Sequence, residues 1–193
     1  RNKYLTNRYL RAAGLPVPES MTARSLASTL DAARTIGYPV VLKPIDQAAS
    51  VGVALDLRDD GDVRAHFDTV KHASTSPKSD IVVERFVPGN DYRVLVVNDA
   101  IAAISQRVHP QVIGSGSHTI RELIEIENAD PRRGPGPSHV YRRITVDERV
   151  VEYLAETGLT LDDVPPPGRT IVLMLSGSRQ DGAIYVDVTD EIH

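Results

Sequence analysis

Residues 81–97, IVVERFVPGNDYRVLVV, constrain the fold more than any other stretch of the chain. Ile81-Val82-Val83 is an apolar run of the kind a buried strand shows, and Val94-Leu95-Val96-Val97 resumes an apolar strand. Pro88-Gly89-Asn90-Asp91 between them is turn chemistry, so the stretch reads as strand, turn, strand. Glu84, Arg85, Asp91 and Arg93 crowd that turn with charge, although a plain hairpin needs polar residues there only for solubility. A second stretch, GYPVVLKPIDQAASVGV at residues 37–53, ends an apolar strand on Lys43, which faces a loop of small residues. Such a loop lets backbone N–H groups approach a phosphate closely, and the lysine adds charge. It is not a P-loop, because the G-x-x-x-x-G-K-[ST] order is missing. Small-residue hairpin loops are common, so this spacing alone assigns no function.

Around these stretches the pattern alternates between helix and strand. Residues 2–13 have the apolar spacing of an amphipathic helix, stopped by Gly14 and kept from resuming by Pro16 and Pro18. Lys3 falls in its first turn, where a cation gains nothing from the helix dipole. It reads either as a solvated surface lysine or as a ligand for phosphate. A second helix runs to Ile36, with Ser25 or Thr22 available as N-cap. Val40–Lys43 and Val53–Leu57 read as strands, with Pro44 blocking continuation of the first, and Asp60–His72 as a helix. Ala100–Val108 continues as a strand, and Val112–Ser117 reads as a glycine loop. Thr119 and Glu122 form a capping-box pair at the head of TIRELIEIENAD. Residues 130–137 are irregular and polar, residues 145–157 patterned as a helix, and residues 159–168 a proline-rich connector. Two further strands, 169–175 and 183–188, flank a polar turn. The predicted class is α+β.

Composition excludes several function classes. The net charge of −4 gives no overall basic footprint for nucleic acid, although Arg132-Arg133 and Arg142-Arg143 form local pairs. The former pair could hold an acidic polymer, or sit in a solvated loop. Cysteine is absent, which removes disulfide and thiol chemistry and is compatible with a reducing cytoplasm. No apolar run reaches membrane-spanning length, and no signal peptide begins the chain. His66, His72, His109, His118, His139 and His193 show no metal-ligand spacing and read as surface or loop residues. The chain starts at Arg1 without methionine and reads as a piece of something longer.

Taken together, these motifs resemble the ATP-grasp family. NKYLTNRYLRAAGLPVPES is similar to the family's DK-x-x-T-K-x-x-L-x-x-x-G-[IV]-P-V-P-E-G, and GYPVVLKPIDQ to GYPVVVKPLDG. IVVERFVPGNDYRVLVVN resembles VERY-[IV]-PGNDHRLLVVN. IENADPRRG, TLDDVPPPG and DVTDEIH resemble the cyanophycin synthetase group within that family. The resemblance implies an ATP-grasp fold, with a connecting helix at 1–19, a lid subdomain at 20–87 and part of a C-terminal antiparallel-sheet subdomain at 88–193. In that family an ATP lies between two lobes. By resemblance, Lys3 and Lys43 contact phosphates, and Ser50, Val51 and Gly52 fold over them. Glu84, Arg85, Phe86 and Val87 form the hinge against adenine, Asp91 takes the ribose hydroxyls, and Arg93 is the catalytic residue facing the phosphate or acylphosphate. Residue types agree: cations for a polyphosphate, a carboxylate for a diol, an apolar shelf for a purine.

The implied activity is an ATP-dependent carboxylate–amine ligase of cyanophycin synthetase type, joining aspartate and arginine units of a β-Asp-Arg polymer through an acylphosphate. Its implied partners are ATP, Mg²⁺ and an amino acid or peptide substrate, without nucleic acid or membrane; a homo-oligomer through a longer parent is compatible. The family's metal ligands lie beyond DVTDEIH, so the resemblance implies no metal ligand in this chain and no activity for it alone. Two departures keep alternatives open. Of the family loop D-G-N-x-G-R-G-V, residues 46–53 keep only Asp46, Gly52 and Val53. Where a basic residue and an N-L-S-T-G-G turn are expected, Met174-Leu175 and Ser178–Ala183 stand instead. A non-catalytic relic that binds nucleotide or a partner fits these changes. So does a ligase for another acid and amine, as in glutathione or D-alanyl-dipeptide synthesis.

Overall fold

Strand alternation organises the first half of the chain. A computed structural model describes residues 2–47, 51–136 and 138–192. The backbone divides into two units, Arg1–Pro88 and Gly89–His193. In the first, β1 (Ser20–Ala23), β2 (Val40–Pro44), β3 (Ala54–Leu57) and β4 (Ile81–Arg85) form an antiparallel sheet in the order β1-β4-β2-β3. Because side chains alternate along a strand, Val40 and Leu42 of β2 and Ile81 and Val83 of β4 fall on one face. They pack with Leu30, Ala33 and Ile36 of α2 (Leu26–Ile36) and Val63 and Val70 of α3 (Asp60–His72) in one buried cluster. Burying each such side chain contributes roughly 1.5–3 kcal/mol relative to exposure.

The helix ends follow local chemistry. Ser25 caps α2 and is answered by Ser28 in a reciprocal box. Asp59 caps α3, with Asp60 and Asp62 in the first turn where the helix dipole favours anions. Of the two caps considered for α2, Ser25 is the one used. The opposite face of the sheet carries Val41 and Lys43 from β2 and Val82 and Glu84 from β4. Helix α1 (Lys3–Ala12), capped by Asn2, reaches this face through Asn7. Pro44 forms the last residue of β2 rather than lying beyond it.

In the second unit, β5 (Asp91–Val97), β6 (Ala100–Val108) and β11 (Ile184–Asp187) form an antiparallel sheet in the order β11-β6-β5. A shorter antiparallel pair joins β7 (Gln111–Ile113) to β10 (Thr170–Val172). Helices α4 (Ile120–Asn128) and α5 (Glu148–Glu156) supply Ile120, Leu123, Ile124, Val150 and Leu154 to a second buried cluster with Val112, Ile171 and Leu173. The predicted Thr119–Glu122 capping box is present in α4. Helix α5 starts later than expected, because Asp147 caps it and residues 145–146 stay outside.

Four expectations need correction. The run 81–97 is not one hairpin: β4 pairs with β1 and β2, whereas β5 pairs with β6. The tight turn is instead Asn98-Asp99, both with positive φ, +48° and +61°, as a two-residue hairpin turn requires. Pro88 and Gly89, with φ +134°, belong to the connector between the two units. The expected glycine loop at 112–117 begins inside a strand, because β7 takes in Val112 and Ile113. The segment 130–137 includes β8 (Arg133–Gly134), which pairs in parallel with β9 (Tyr141–Arg142). Arg133 is therefore no solvated arginine: it is 5% exposed, bonded to Glu127 and to the carbonyls of Arg142 and Gly182. His109 and His139 lie in loops, as expected, although among the described residues each buries Nδ1 without a hydrogen-bond partner.

Candidate functional site

Lys43 and Glu84 meet on the sheet face turned away from α2 and α3. Val41 opposes Glu84 and Lys43 opposes Val82 in the β2–β4 register, so the two charged residues are diagonal neighbours. Lys43 Nζ lies 2.6 Å from Glu84 Oε1. Asn7 Nδ2, from α1, donates to Glu84 Oε2 at 2.8 Å. Both carboxylate oxygens therefore have a donor. The Lys43 and Glu84 side chains are only 19% and 11% exposed, so this is a largely desolvated pair. In such surroundings a carboxylate deprived of its partners is costly.

The end of β4 supplies main-chain groups beside this pair. The Phe86 N–H donates to Pro39 O at 3.0 Å, which fixes the chain as it leaves the sheet. Val87, the next residue, is exposed. An open groove of about 370 Å³ runs along α1, lined by Tyr4, Asn7, Arg8, Arg11, Ala12 and Ser20. Asn7 and Ser20 connect it to the pair, since Ser20 is the strand partner of Glu84.

Other predicted site residues fall elsewhere in this unit. Lys3 is not a solvated lysine: its Nζ donates to Pro44 O at 2.7 Å and to Gln47 O, tying α1 to the end of β2. Arg85, adjacent to Glu84 in sequence, lies on the opposite face by strand alternation. Its Nη2 donates to Ile36 O at the end of α2, and Glu19 lies 3.6 Å away. Ser50 lies outside the described residues. Val51 is exposed. Gly52 has φ +64°, and a Cβ there would collide with the Ala73 side chain and meet Pro44 Cγ at 3.2 Å. The stem of this loop is pinned by Asp46, whose Oδ2 accepts from Ser79 Oγ at 2.7 Å and from Thr75 Oγ1. The Thr75 hydroxyl, chiefly, holds the Asp46 carboxyl below its ordinary range. Gln47 Nε2 donates to Ala73 O at 2.6 Å.

In the second unit Asp91 and Arg93 lie two residues apart on β5 and so share a face. Asp91 stands opposite Arg107 on β6, with Oδ2 3.3 Å from Arg107 Nη1. Arg93 stands opposite Ser105 and is exposed, with no ion pair among the described residues. Asn7 and Arg107 were missed from the sequence. Asn7 had a legible signal, since it lies four residues after Lys3 and so on the same helix face. Arg107 has none, because its pairing with Asp91 depends on the Asn98-Asp99 turn between β5 and β6.

Among the described residues no group of three or more His, Cys, Asp or Glu side chains could hold a metal ion. Among the same residues no helix is long and apolar enough to cross a membrane.

The Lys43–Glu84 pair and the groove beside it lie in the part of the chain that a known domain family matches. A model of the ATP-grasp domain matches residues 2–103, and the chain belongs to the ATP-grasp family. Over 193 residues it is 38% identical to cyanophycin synthetase of Trichormus variabilis, covering all of this chain and 21% of that protein. It is 30% identical to the glutathione biosynthesis bifunctional protein GshAB of Mannheimia succiniciproducens, covering all of this chain and 25% of that one. The crystal structure of a bifunctional glutathione synthetase from Pasteurella multocida matches with a TM-score of 0.55 at 27% identity, over 99% of this chain and 26% of its own. The chain thus spans about a fifth of the length of the cyanophycin synthetases it matches.

Proposed function

We propose that the chain is a nucleotide-binding portion of an ATP-dependent carboxylate–amine ligase of cyanophycin synthetase type. The observation that carries this is the Lys43–Glu84 pair, set three residues from the exposed Val87 where the chain leaves β4. A lysine suits phosphate oxygens, a carboxylate accepts from an exocyclic amine, and a main-chain edge suits a purine. In this reading Glu84, Phe86 and Val87 read the adenine, Asp91 accepts from the ribose hydroxyls, and Lys43 binds phosphate. Lys3 reaches phosphate only by leaving the Pro44 and Gln47 carbonyls, and the Arg85 side chain serves the end of α2 rather than the nucleotide. Val51 and Gly52 flank the loop over the phosphates, and Arg93 faces the transferred group. Residues 20–87 correspond to the lid subdomain and 88–193 to part of the C-terminal subdomain.

The reaction proposed has two steps. The γ-phosphoryl group passes to a substrate carboxylate oxygen, giving ADP and an acylphosphate. An amine nitrogen then attacks the acyl carbon, the C–O bond to phosphate breaks, and an amide, inorganic phosphate and a proton result. Little of this needs covalent help from the protein; positioning and charge stabilisation dominate. Mg²⁺ would neutralise polyphosphate charge in such a reaction. The described residues do not form a site for it, so no step is assigned through the metal here. The substrates proposed are aspartate and arginine units of a β-Asp-Arg polymer. ADP release by the full-length protein, with a β-Asp-Arg primer and aspartate or arginine, tests this. ADP release only with γ-glutamylcysteine and glycine, or only with D-alanine, would replace the substrate assignment. Nucleotide binding without ADP release on any of them would support a second reading, a binding module without chemistry, which Ala48-Ala49 in place of family loop residues favours.

A further inference from the structure

Three strands of the second unit place Asp91, Arg107 and Tyr185 in one row. Asp91 of β5 and Tyr185 of β11 both stand directly opposite Arg107 of the central strand β6. The Arg107 guanidinium reaches Asp91 at 3.3 Å on one side and lies over the Tyr185 ring, 5.5 Å from its centroid, on the other. A guanidinium so placed is held in its plane by charge and by the ring face together. Among the described residues its buried Nε has no hydrogen-bond partner, and the guanidinium makes its ion pair and its ring contact with these two neighbours. The row also grips the turn at 176–178. The Tyr185 hydroxyl donates to Gly177 O at 3.2 Å. A Cβ on Gly177 would stand 2.8 Å from Asp91 Oδ2 and 3.2 Å from Arg107 Cδ, so this turn passes closer to the carboxylate than any side chain would allow.

We infer that Arg107 is the positioning residue for Asp91, holding its carboxylate in the orientation that receives the nucleotide ribose, with Tyr185 and Gly177 closing the row behind it. The inference rests on the proposed ribose role of Asp91 and deepens it. Two further groups face the carboxylate besides Arg107: the Gly177 backbone and, one alternation along the strand, Arg93. Among the described residues only Arg107 bonds it. Removing Arg107 would free the Asp91 side chain to rotate into solvent, and selectivity for the ribose hydroxyls would fall with it.

The test compares binding of ATP and 2′-deoxy-ATP by the full-length protein, measured by calorimetry on the wild type and on Arg107→Ala, Arg107→Lys, Tyr185→Phe and Asp91→Ala. The wild type prefers ATP, and Arg107→Ala loses about tenfold for ATP while changing 2′-deoxy-ATP by less than about twofold, since a lost bond to a charged group is worth that much. Asp91→Ala gives the same selective loss, and combining it with Arg107→Ala adds nothing further. Arg107→Lys, which keeps the charge, recovers part of the preference; Tyr185→Phe, which keeps the ring, recovers most of it. An equal loss for both nucleotides in Arg107→Ala, with Arg107→Lys no better, would reduce the residue to a structural role and overturn the inference. An undiminished ATP preference in Arg107→Ala would overturn it as well. A wild type that binds neither nucleotide would strike at the function proposed above, a result distinct from either.

Discussion

Lys43 and Glu84 stand on neighbouring antiparallel strands, one step off direct register, with Nζ and Oε1 2.6 Å apart beneath a surface that leaves them under a fifth exposed. Nothing in the hydrophobic core requires this pair, because it lies on the face away from the buried cluster of the unit. Replacing Lys43 by alanine leaves the Glu84 carboxylate with Asn7 as its remaining partner. The expected cost is about 2 kcal/mol, below the full value for a buried pair because Asn7 persists. Urea unfolding measures it. Lys43→Met refills the space but leaves Glu84 equally unpaired, so it is expected to lose most of the same stability and to weaken nucleotide binding. Replacing both residues, Lys43→Met with Glu84→Leu, is expected to restore stability but not nucleotide affinity.

Asn7 fixes the second oxygen of the same carboxylate from a different element. Asn7→Ala is expected to destabilise the protein by about 1.5 kcal/mol, the lower end for a hydrogen bond to a charged group. Asn7→Asp sets two carboxylates against each other and is expected to be worse at pH 7, with the deficit shrinking as the pH is lowered through the carboxylate range. Unfolding curves of the two variants at pH 7 and pH 4 separate these outcomes.

Much of the helix chemistry of both units was legible in the sequence, and the reason is local. The α3 boundaries, the Ser25 cap and the Thr119–Glu122 box follow from side chains bonding backbone a few residues away. The helix–strand alternation survives because each apolar pattern has one period. What failed was pairing. The hairpin at Asn98-Asp99 was hidden because Pro88-Gly89-Asn90-Asp91 is the stronger turn signal in composition, yet it marks the junction of the two units. Arg85 illustrates a second limit: adjacency to Glu84 put it in the predicted site, and strand alternation sent its side chain to the other face. Arg133 illustrates a third, since a charged residue in a polar stretch is buried when three acceptors converge on it from distant positions.

That convergence gives a test in the second unit. Arg133→Leu removes bonds to Glu127 and to two main-chain carbonyls, and leaves the Gly182 carbonyl unpartnered in a buried setting. The expected loss is about 3 kcal/mol, in the range for removing one member of a buried charged network. Arg132→Leu, whose ion pair with Asp130 lies at the surface, is expected to cost less than about 1 kcal/mol. Thermal unfolding of the two variants makes the comparison.

Asp46 carries a pH signature. Its carboxyl is held below the ordinary value of 3.8, first by the Thr75 hydroxyl and then by Ser79. A carboxyl depressed on folding adds stability above its unfolded value, and that contribution is lost as the pH falls through the folded value. Stability is therefore expected to fall below about pH 4 in the wild type. Asp46→Asn is expected to be less stable at neutral pH and to show a shallower acid limb. Acid titration of both, followed by circular dichroism, gives the two slopes.

The most direct measurement is calorimetric titration of Mg·ATP into the full-length protein, wild type and Lys43→Met side by side. Saturable binding by the wild type, weakened at least about tenfold in Lys43→Met, is the expected result, because a lysine–phosphate bond is charge-assisted. No binding by the wild type, or equal binding by both proteins, would contradict the placement of the nucleotide at Lys43 and Glu84.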